Sequence, residues 1–127
     1  MVTNKKNKIL IVEDEEAIAN MYKLKLQEEG FEVIITSRGS EAIELATKEQ
    51  PVVILLDIIM PEMDGFSVLQ ELKAQEELKK IPVFMLTNLG QEADFVKGKK
   101  LGAENYFIKS QHTPTQIITE IKNFLNK

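Results

Sequence analysis

The stretch Val52-Val53-Ile54-Leu55-Leu56-Asp57-Ile58-Ile59-Met60-Pro61-Glu62-Met63-Asp64-Gly65, VVILLDIIMPEMDG, decides the fold. Its first five residues are apolar without a break. A short run of this kind suits a strand buried on both faces, as in a parallel sheet covered by helices. One acid, Asp57, then interrupts the run, and Pro61 and Gly65 mark a loop. An unpaired carboxylate in apolar surroundings costs several kcal/mol. The strand must therefore deliver Asp57 to a place where its charge is offset.

Working outward, four more strands are predicted: Lys8 to Val12, Phe31 to Ile35 after Gly30, Val83 to Leu86 after Pro82, and Tyr106 to Ile108 after Gly102. Gly30 reads as a helix stop, and proline is tolerated at the first position of a strand. The segments between the strands carry helical spacing, in Ala17, Met21 and Leu24, in Phe66, Leu69 and Leu72, and in Ile117, Ile121 and Phe124. Asp64 is an expected N-cap for the third helix. Thr113-Pro114-Thr115-Gln116 opens the last helix with a capping-box pattern and proline at its first position. The fourth helix, about Gln91 to Leu101, has a thin apolar stripe with Gly98 inside it. Strand starts fall roughly 20–30 residues apart, as strand–helix–strand crossovers require. The expected fold is α/β: a (βα)5 doubly wound open parallel sheet, flavodoxin-like, with strand order 2-1-3-4-5.

In such sheets ligands bind beyond the carboxyl ends of the strands, where the strand order reverses. The residues there are Glu13 and Asp14 after the first strand, Asp57 after the third, Thr87 after the fourth and Lys109 after the fifth. Three carboxylates sharing one space repel one another. A hard divalent cation relieves that repulsion, and Mg2+ favours carboxylate, carbonyl and water oxygens. With a hydroxyl and an ammonium beside them, these groups make a seat for a phosphoryl group. Taken singly each has a blander reading. Paired acids start helices, where the dipole favours them. A lone aspartate is more often a turn residue, and a lone lysine a solvated one. Their joint arrival at the strand ends is what carries weight.

The 127 residues are enough for one domain with a real core, and 43% hydrophobic with 28% charged is ordinary for a globular chain. No apolar run approaches the roughly 18 residues of a membrane span. The polar leader, residues 1–7, precedes too few apolar residues for a signal peptide, so a cytoplasmic location with no membrane contact is expected. The chain has no cysteine, which excludes thiolate chemistry. A net charge of −4 argues against direct nucleic-acid binding.

The pieces KILIVEDEE, VVILLDIIMPEMDG, IPVFMLTN and AENYFIK together resemble the receiver domain of two-component response regulators, most closely the single-domain chemotaxis type. The resemblance runs from Lys8 to about Leu125, so residues 1–127 are expected to form a single receiver domain without an output domain. It implies a signalling switch rather than an enzyme. Asp57 would accept a phosphoryl group from a sensor histidine kinase, a histidine phosphotransfer protein or a small phosphodonor. Asp14, Asp57 and the backbone carbonyl of Ile59 would hold Mg2+, or Mn2+, with Glu13 acting through water. Thr87 and Lys109 would bind phosphoryl oxygens. Tyr106 would be the switch aromatic, whose ring turns inward and alters the surface of helix four, strand five and helix five for an unnamed protein target. The chain is expected to be a monomer or weak dimer.

Four positions depart from the family pattern. Ser110 stands where a proline usually follows the lysine, and a cis bond before serine would cost about 2.5–4 kcal/mol, so a trans bond is expected. Asn88 replaces a small residue and narrows the site or adds a donor. Ile59 and Leu89 put bulky apolar groups beside the path of the attacking water, which predicts slow hydrolysis of the acyl phosphate.

Other residues are read plainly. His112, the only histidine, is a loop residue, and Lys97, Lys99 and Lys100 form a solvated face or part of a partner surface. Met60 and Met63 are packing anchors. Two rival functions remain. One is an aspartate-nucleophile phosphatase of the haloacid dehalogenase type, disfavoured because Ile59 stands where a second acid is needed. The other is an interaction module that works without phosphorylation. A nucleotide or flavin site is disfavoured, since no glycine-rich loop follows the first strand.

Overall fold

The structure is a computed structural model and describes residues 7–126. The leader expected over residues 1–7 lies, apart from Asn7, outside them. Five strands, β1 (Lys8–Val12), β2 (Glu32–Thr36), β3 (Val53–Leu56), β4 (Val83–Thr87) and β5 (Asn105–Ile108), alternate with five helices. The helices are α1 (Glu16–Glu28), α2 (Gly39–Glu49), α3 (Gly65–Ala74), α4 (Glu92–Lys100) and α5 (Pro114–Leu125). All strand pairings are parallel and the order is β2-β1-β3-β4-β5, as the sequence predicts. Strand boundaries differ from expectation by at most one residue, within the spread of any boundary assignment.

Side chains of a strand alternate between faces, and the sheet uses both. Leu10, Val12, Ile54, Leu56, Val83 and Met85 join the core under α2 and α3. Ile9, Ile11, Val53, Leu55, Phe84 and Leu86 join the core under α1 and α5. Every residue of β3 and β4 is buried, which explains their unbroken apolar composition. Each such leucine or isoleucine contributes about 1.5–3 kcal/mol by leaving water.

Two helices follow their predicted faces. Phe66, Leu69 and Leu72 are buried on α3, and Ile117 and Ile121 on α5, with Phe124 edge-on to Phe84 at 5.5 Å. Asp64 caps α3 by accepting from the Ser67 amide at 3.0 Å, and Thr113 with Gln116 closes a capping box on α5. The predicted face of α1 is corrected. Its buried stripe is Ala19, Tyr22 and Leu26, whereas Ala17 is exposed and Leu24 is 63% exposed. Only Met21 of the expected stripe packs against the core, and only partly. This helix carries apolar residues around much of its circumference, so spacing alone admits two frames; the sheet selects the one bearing the larger ring. Among the described residues no helix is long and apolar enough to cross a membrane.

Candidate functional site

Parallel strands end at one edge, and their register fixes which ends meet. Val12 pairs with Leu56, so Glu13 and Asp57, the next residues, emerge side by side. Thr87 pairs with Ile108, which brings Lys109 beside the end of β4, where its amide donates to the Thr87 carbonyl at 2.7 Å.

Asp57 is buried and held from several sides. Its amide donates to the Val12 carbonyl at 3.0 Å, and its Oδ1 accepts from the Ile58 amide at 2.7 Å. Its Oδ2 stands 3.3 Å from Lys109 Nζ. The same ammonium donates to Glu13 Oε1 at 2.7 Å, while Glu13 Oε2 accepts from the Glu15 amide at 3.0 Å. Glu13 is only 3% exposed. Burial pushes its carboxyl up to about 7, and the nearby Asp57 charge adds to this; the bonds from Lys109 and the Glu15 amide work the other way. Burial pulls Lys109 down, but the Glu13 bond and the Asp57 charge more than offset it, so its ammonium is held above the ordinary lysine value.

Carboxylate oxygens of Glu13, Asp14 and Asp57 all lie within 4.8 Å of one another. One lysine cannot balance three such acids, and a divalent cation with oxygen preference fits the residual charge and the oxygen donor set. Asp14 is exposed at the mouth. Beside it opens a cleft of about 250 Å³ lined by Asp14, Glu15, Asp57, Ile59, Thr87, Asn88 and Lys109. Glu15 is absent from the sequence expectation. It lies 3.8 Å from Lys109, and its only signal was membership of the acidic run EDEE.

The loop after Asp57 is shaped by a close approach. The Gly65 amide donates to the Ile58 carbonyl at 2.8 Å, and a Cβ on Gly65 would come within 2.2 Å of the Asp57 carbonyl oxygen. Only glycine lets α3 begin this near the strand end. Met60 is buried and Met63 packs against the core, as anchors should. Ile59 instead is 61% exposed at the cleft.

Thr87 is fully buried, and its Oγ1 accepts from the Leu89 amide at 3.3 Å. The Leu89 carbonyl in turn accepts from the Tyr106 hydroxyl at 2.9 Å. The Leu89 side chain packs against the core and is not among the residues lining the cleft. Tyr106 is buried, with Phe95 edge-on at 5.6 Å, and burial, with smaller effects from Asp94 and Asp57, pushes its phenol up to about 12.

The remaining residues fall outside the cleft. His112 lies edge-on to Phe107 at 5.3 Å, with Nδ1 3.3 Å from the Ile108 carbonyl. Lys97 stands over the Phe66 ring at 4.6 Å, and Lys99 donates to the Glu104 carbonyl at 3.0 Å. Among the described residues every peptide bond is trans, including Lys109-Ser110.

Comparisons with known proteins identify the family and the fold. A family model for the response regulator receiver domain matches residues 9–122. The transcriptional regulatory protein SrrA of Staphylococcus aureus is 40% identical over 121 residues, covering 95% of this chain and 48% of its own length. The chain thus spans about half the length of the curated relatives it matches. Chemotaxis protein CheY4 of Vibrio cholerae superposes with a TM-score of 0.86 at 30% identity, covering 94% of this chain and 98% of that one. The beryllofluoride-activated receiver domain of Klebsiella pneumoniae RstA gives 0.87 at 27% identity, covering 95% and 100%. The parallel sheet that delivers Asp57 to its acidic edge therefore belongs to a response regulator receiver domain of two-component signal transduction.

Proposed function

We propose that this domain is switched by phosphorylation of Asp57. The observation that carries this reading is the single ammonium of Lys109 bonded to both Glu13 and Asp57 at the carboxyl edge of the sheet. In the reaction, an Asp57 carboxylate oxygen attacks the phosphorus of a phosphohistidine on a sensor kinase or phosphotransfer protein, or of a small phosphodonor. The bond from phosphorus to the donor breaks as the acyl phosphate bond forms; a phosphohistidine already protonated on its other ring nitrogen departs as neutral imidazole, and a small donor departs with the nitrogen or oxygen that held the phosphorus. The Ile58 amide fixes the carboxylate, so little orientation is lost at the moment of attack. Lys109 pairs with one developing phosphoryl oxygen and the Thr87 hydroxyl donates to another, with Asn88 beside them.

Glu13, Asp14, Asp57 and the Ile59 carbonyl are the groups that would hold Mg2+, or Mn2+ in its place. When bound, the cation neutralises charge on the transferring group. Engagement of Thr87 then bears on the Leu89 peptide and, through it, on Tyr106 and the α4–β5–α5 surface, a local charge event that biases the packing there. A protein target on that surface, in the cytoplasm, completes the reading. Ile59 at the cleft shields the acyl phosphate from water, and Leu89 acts through its peptide.

The test is intact-mass analysis after incubation with Mg2+ and a small phosphodonor. A single phosphoryl adduct, lost in Asp57→Asn, is expected. Rapid multiple turnover of the donor would point instead to a phosphatase, and no adduct from any donor would point to an interaction module independent of phosphorylation.

A further inference from the structure

Gly98 is the one buried residue of α4. It lies in the middle of the helix, where glycine costs about 1 kcal/mol relative to alanine. The neighbour that accounts for it is Tyr106. A Cβ on Gly98 would stand 3.0 Å from Tyr106 Cδ2, 3.4 Å from Cε2 and 3.8 Å from Met85 Cγ. The helix backbone therefore forms one wall against which the tyrosine ring lies flush. Phe95, one turn earlier on the same helix, meets the ring edge-on, and the Leu89 carbonyl takes its hydroxyl hydrogen.

We propose that Gly98 is a positioning residue for the switch, forming the seat that lets the Tyr106 ring stay buried without any charge being added at Asp57. The contacts that seat the ring are all supplied by the chain: a backbone wall, an aromatic edge and a carbonyl. None is a direct contact with a phosphoryl-binding group; Thr87 reaches the seat only through the Leu89 amide, which donates to its Oγ1 at 3.3 Å. A side chain at position 98 would occupy the ring's edge of that seat and shift the balance outward. The consequence is that this domain presents its α4 surface in the ring-in arrangement from the start. Phosphorylation would then stabilise that arrangement rather than create it. The proposal rests on the receiver reading only for what the ring controls; the seat itself is a packing statement.

The chain suits a direct test, because it has two tyrosines and no tryptophan. In a Tyr22→Phe background the tyrosine emission reports Tyr106 alone. Acrylamide quenching is measured at neutral pH for this protein and for the same protein carrying Gly98→Ala, each with and without Mg2+ and beryllofluoride. Strong shielding is expected in the Gly98 protein under both conditions. In Gly98→Ala, quenching should rise several-fold, and beryllofluoride should restore shielding. Alanine favours the helix more than glycine does, so fraying of α4 does not account for such a rise. Free quenching of Tyr106 in the Gly98 protein would overturn the proposal, even if the alanine variant did not fold. Equal shielding in the two proteins would overturn it as well. If beryllofluoride fails to bind, read by fluorine NMR, the phosphoacceptor reading is what fails, while the comparison without it still decides the seat.

Discussion

Lys109 makes its shorter bond to Glu13, at 2.7 Å, and its longer one to Asp57, at 3.3 Å. The lysine is thus a counter-ion for Glu13, a proposed metal-side acid, as much as for the proposed phosphoacceptor. Removing it leaves two buried carboxylates facing each other. Breaking a buried pair from one side costs about 3–5 kcal/mol. Lys109→Met is expected to lose about 3 kcal/mol of stability above neutral pH in chelator. Saturating Mg2+ should return part of the loss. Urea unfolding with and without Mg2+ checks both statements; an unchanged midpoint in chelator would show that the pair contributes nothing.

The raised Glu13 carboxyl makes the metal-free domain sensitive to pH. Its folded value, about 7, lies above the ordinary 4.5. Between those two values the folded protein holds a proton that the unfolded chain has released. Stability is therefore greatest below the ordinary value and falls as pH rises through the window to about 7. The loss is on the order of 3 kcal/mol. Glu13→Gln removes the ionisation and should flatten this slope while leaving the acid limb of the curve intact. Denaturation midpoints in chelator, measured across the window for both proteins, provide the check. Midpoints that rise toward neutrality, or an unchanged slope in the variant, would contradict the assignment.

The buried frame of α1 gives a third expectation. Leu26 is fully buried and Leu24 is 63% exposed, although both are apolar and on the same helix. Leu26→Ala should cost about 2–5 kcal/mol, as other buried leucines do. Leu24→Ala should stay within about 0.5 kcal/mol, as at other exposed positions. Thermal or urea unfolding of the two variants separates the frames, and equal losses would restore the alternative one.

That helix also shows where the sequence stopped being readable. The sheet was legible because β3 and β4 are buried at every residue and β1 at all but Lys8, and their composition is almost continuously apolar. The acids, Thr87 and Lys109 were legible because each follows or ends a strand, and parallel strands end together. α1 was not, because Ala17, Ile18, Ala19, Met21, Tyr22, Leu24 and Leu26 offer more than one helical stripe. Only packing against β2 and α5 chooses between them. Gly98 was misleading for a related reason. As local sequence it weakens a helix; its value is a contact with Tyr106, which no local pattern reveals. Glu15 was hidden among neighbouring acids, and its 3.8 Å approach to Lys109 exists only once the fold is formed.

Ile59 and Leu89 stand at matching distances after Asp57 and Thr87, and the sequence treats them as a pair. Their geometry differs. Ile59 is exposed and lines the cleft, whereas the Leu89 side chain packs against the core. A water approaching the acyl phosphate on Asp57 would pass the Ile59 side chain, which blocks it and offers no hydrogen bond to orient it. Ile59→Asn supplies that bond and opens the approach, so loss of the phosphoryl group should accelerate by roughly ten-fold or more. Leu89→Glu acts on the peptide that joins Thr87 to Tyr106 and loses core contact. It should lower stability and change the dephosphorylation rate less than Ile59→Asn does. The two single variants and the double variant, followed by intact mass after removal of the phosphodonor, give the three rates. If Ile59→Asn leaves the rate unchanged, or if Leu89→Glu alone reproduces the acceleration, shielding by Ile59 is not what sets the lifetime.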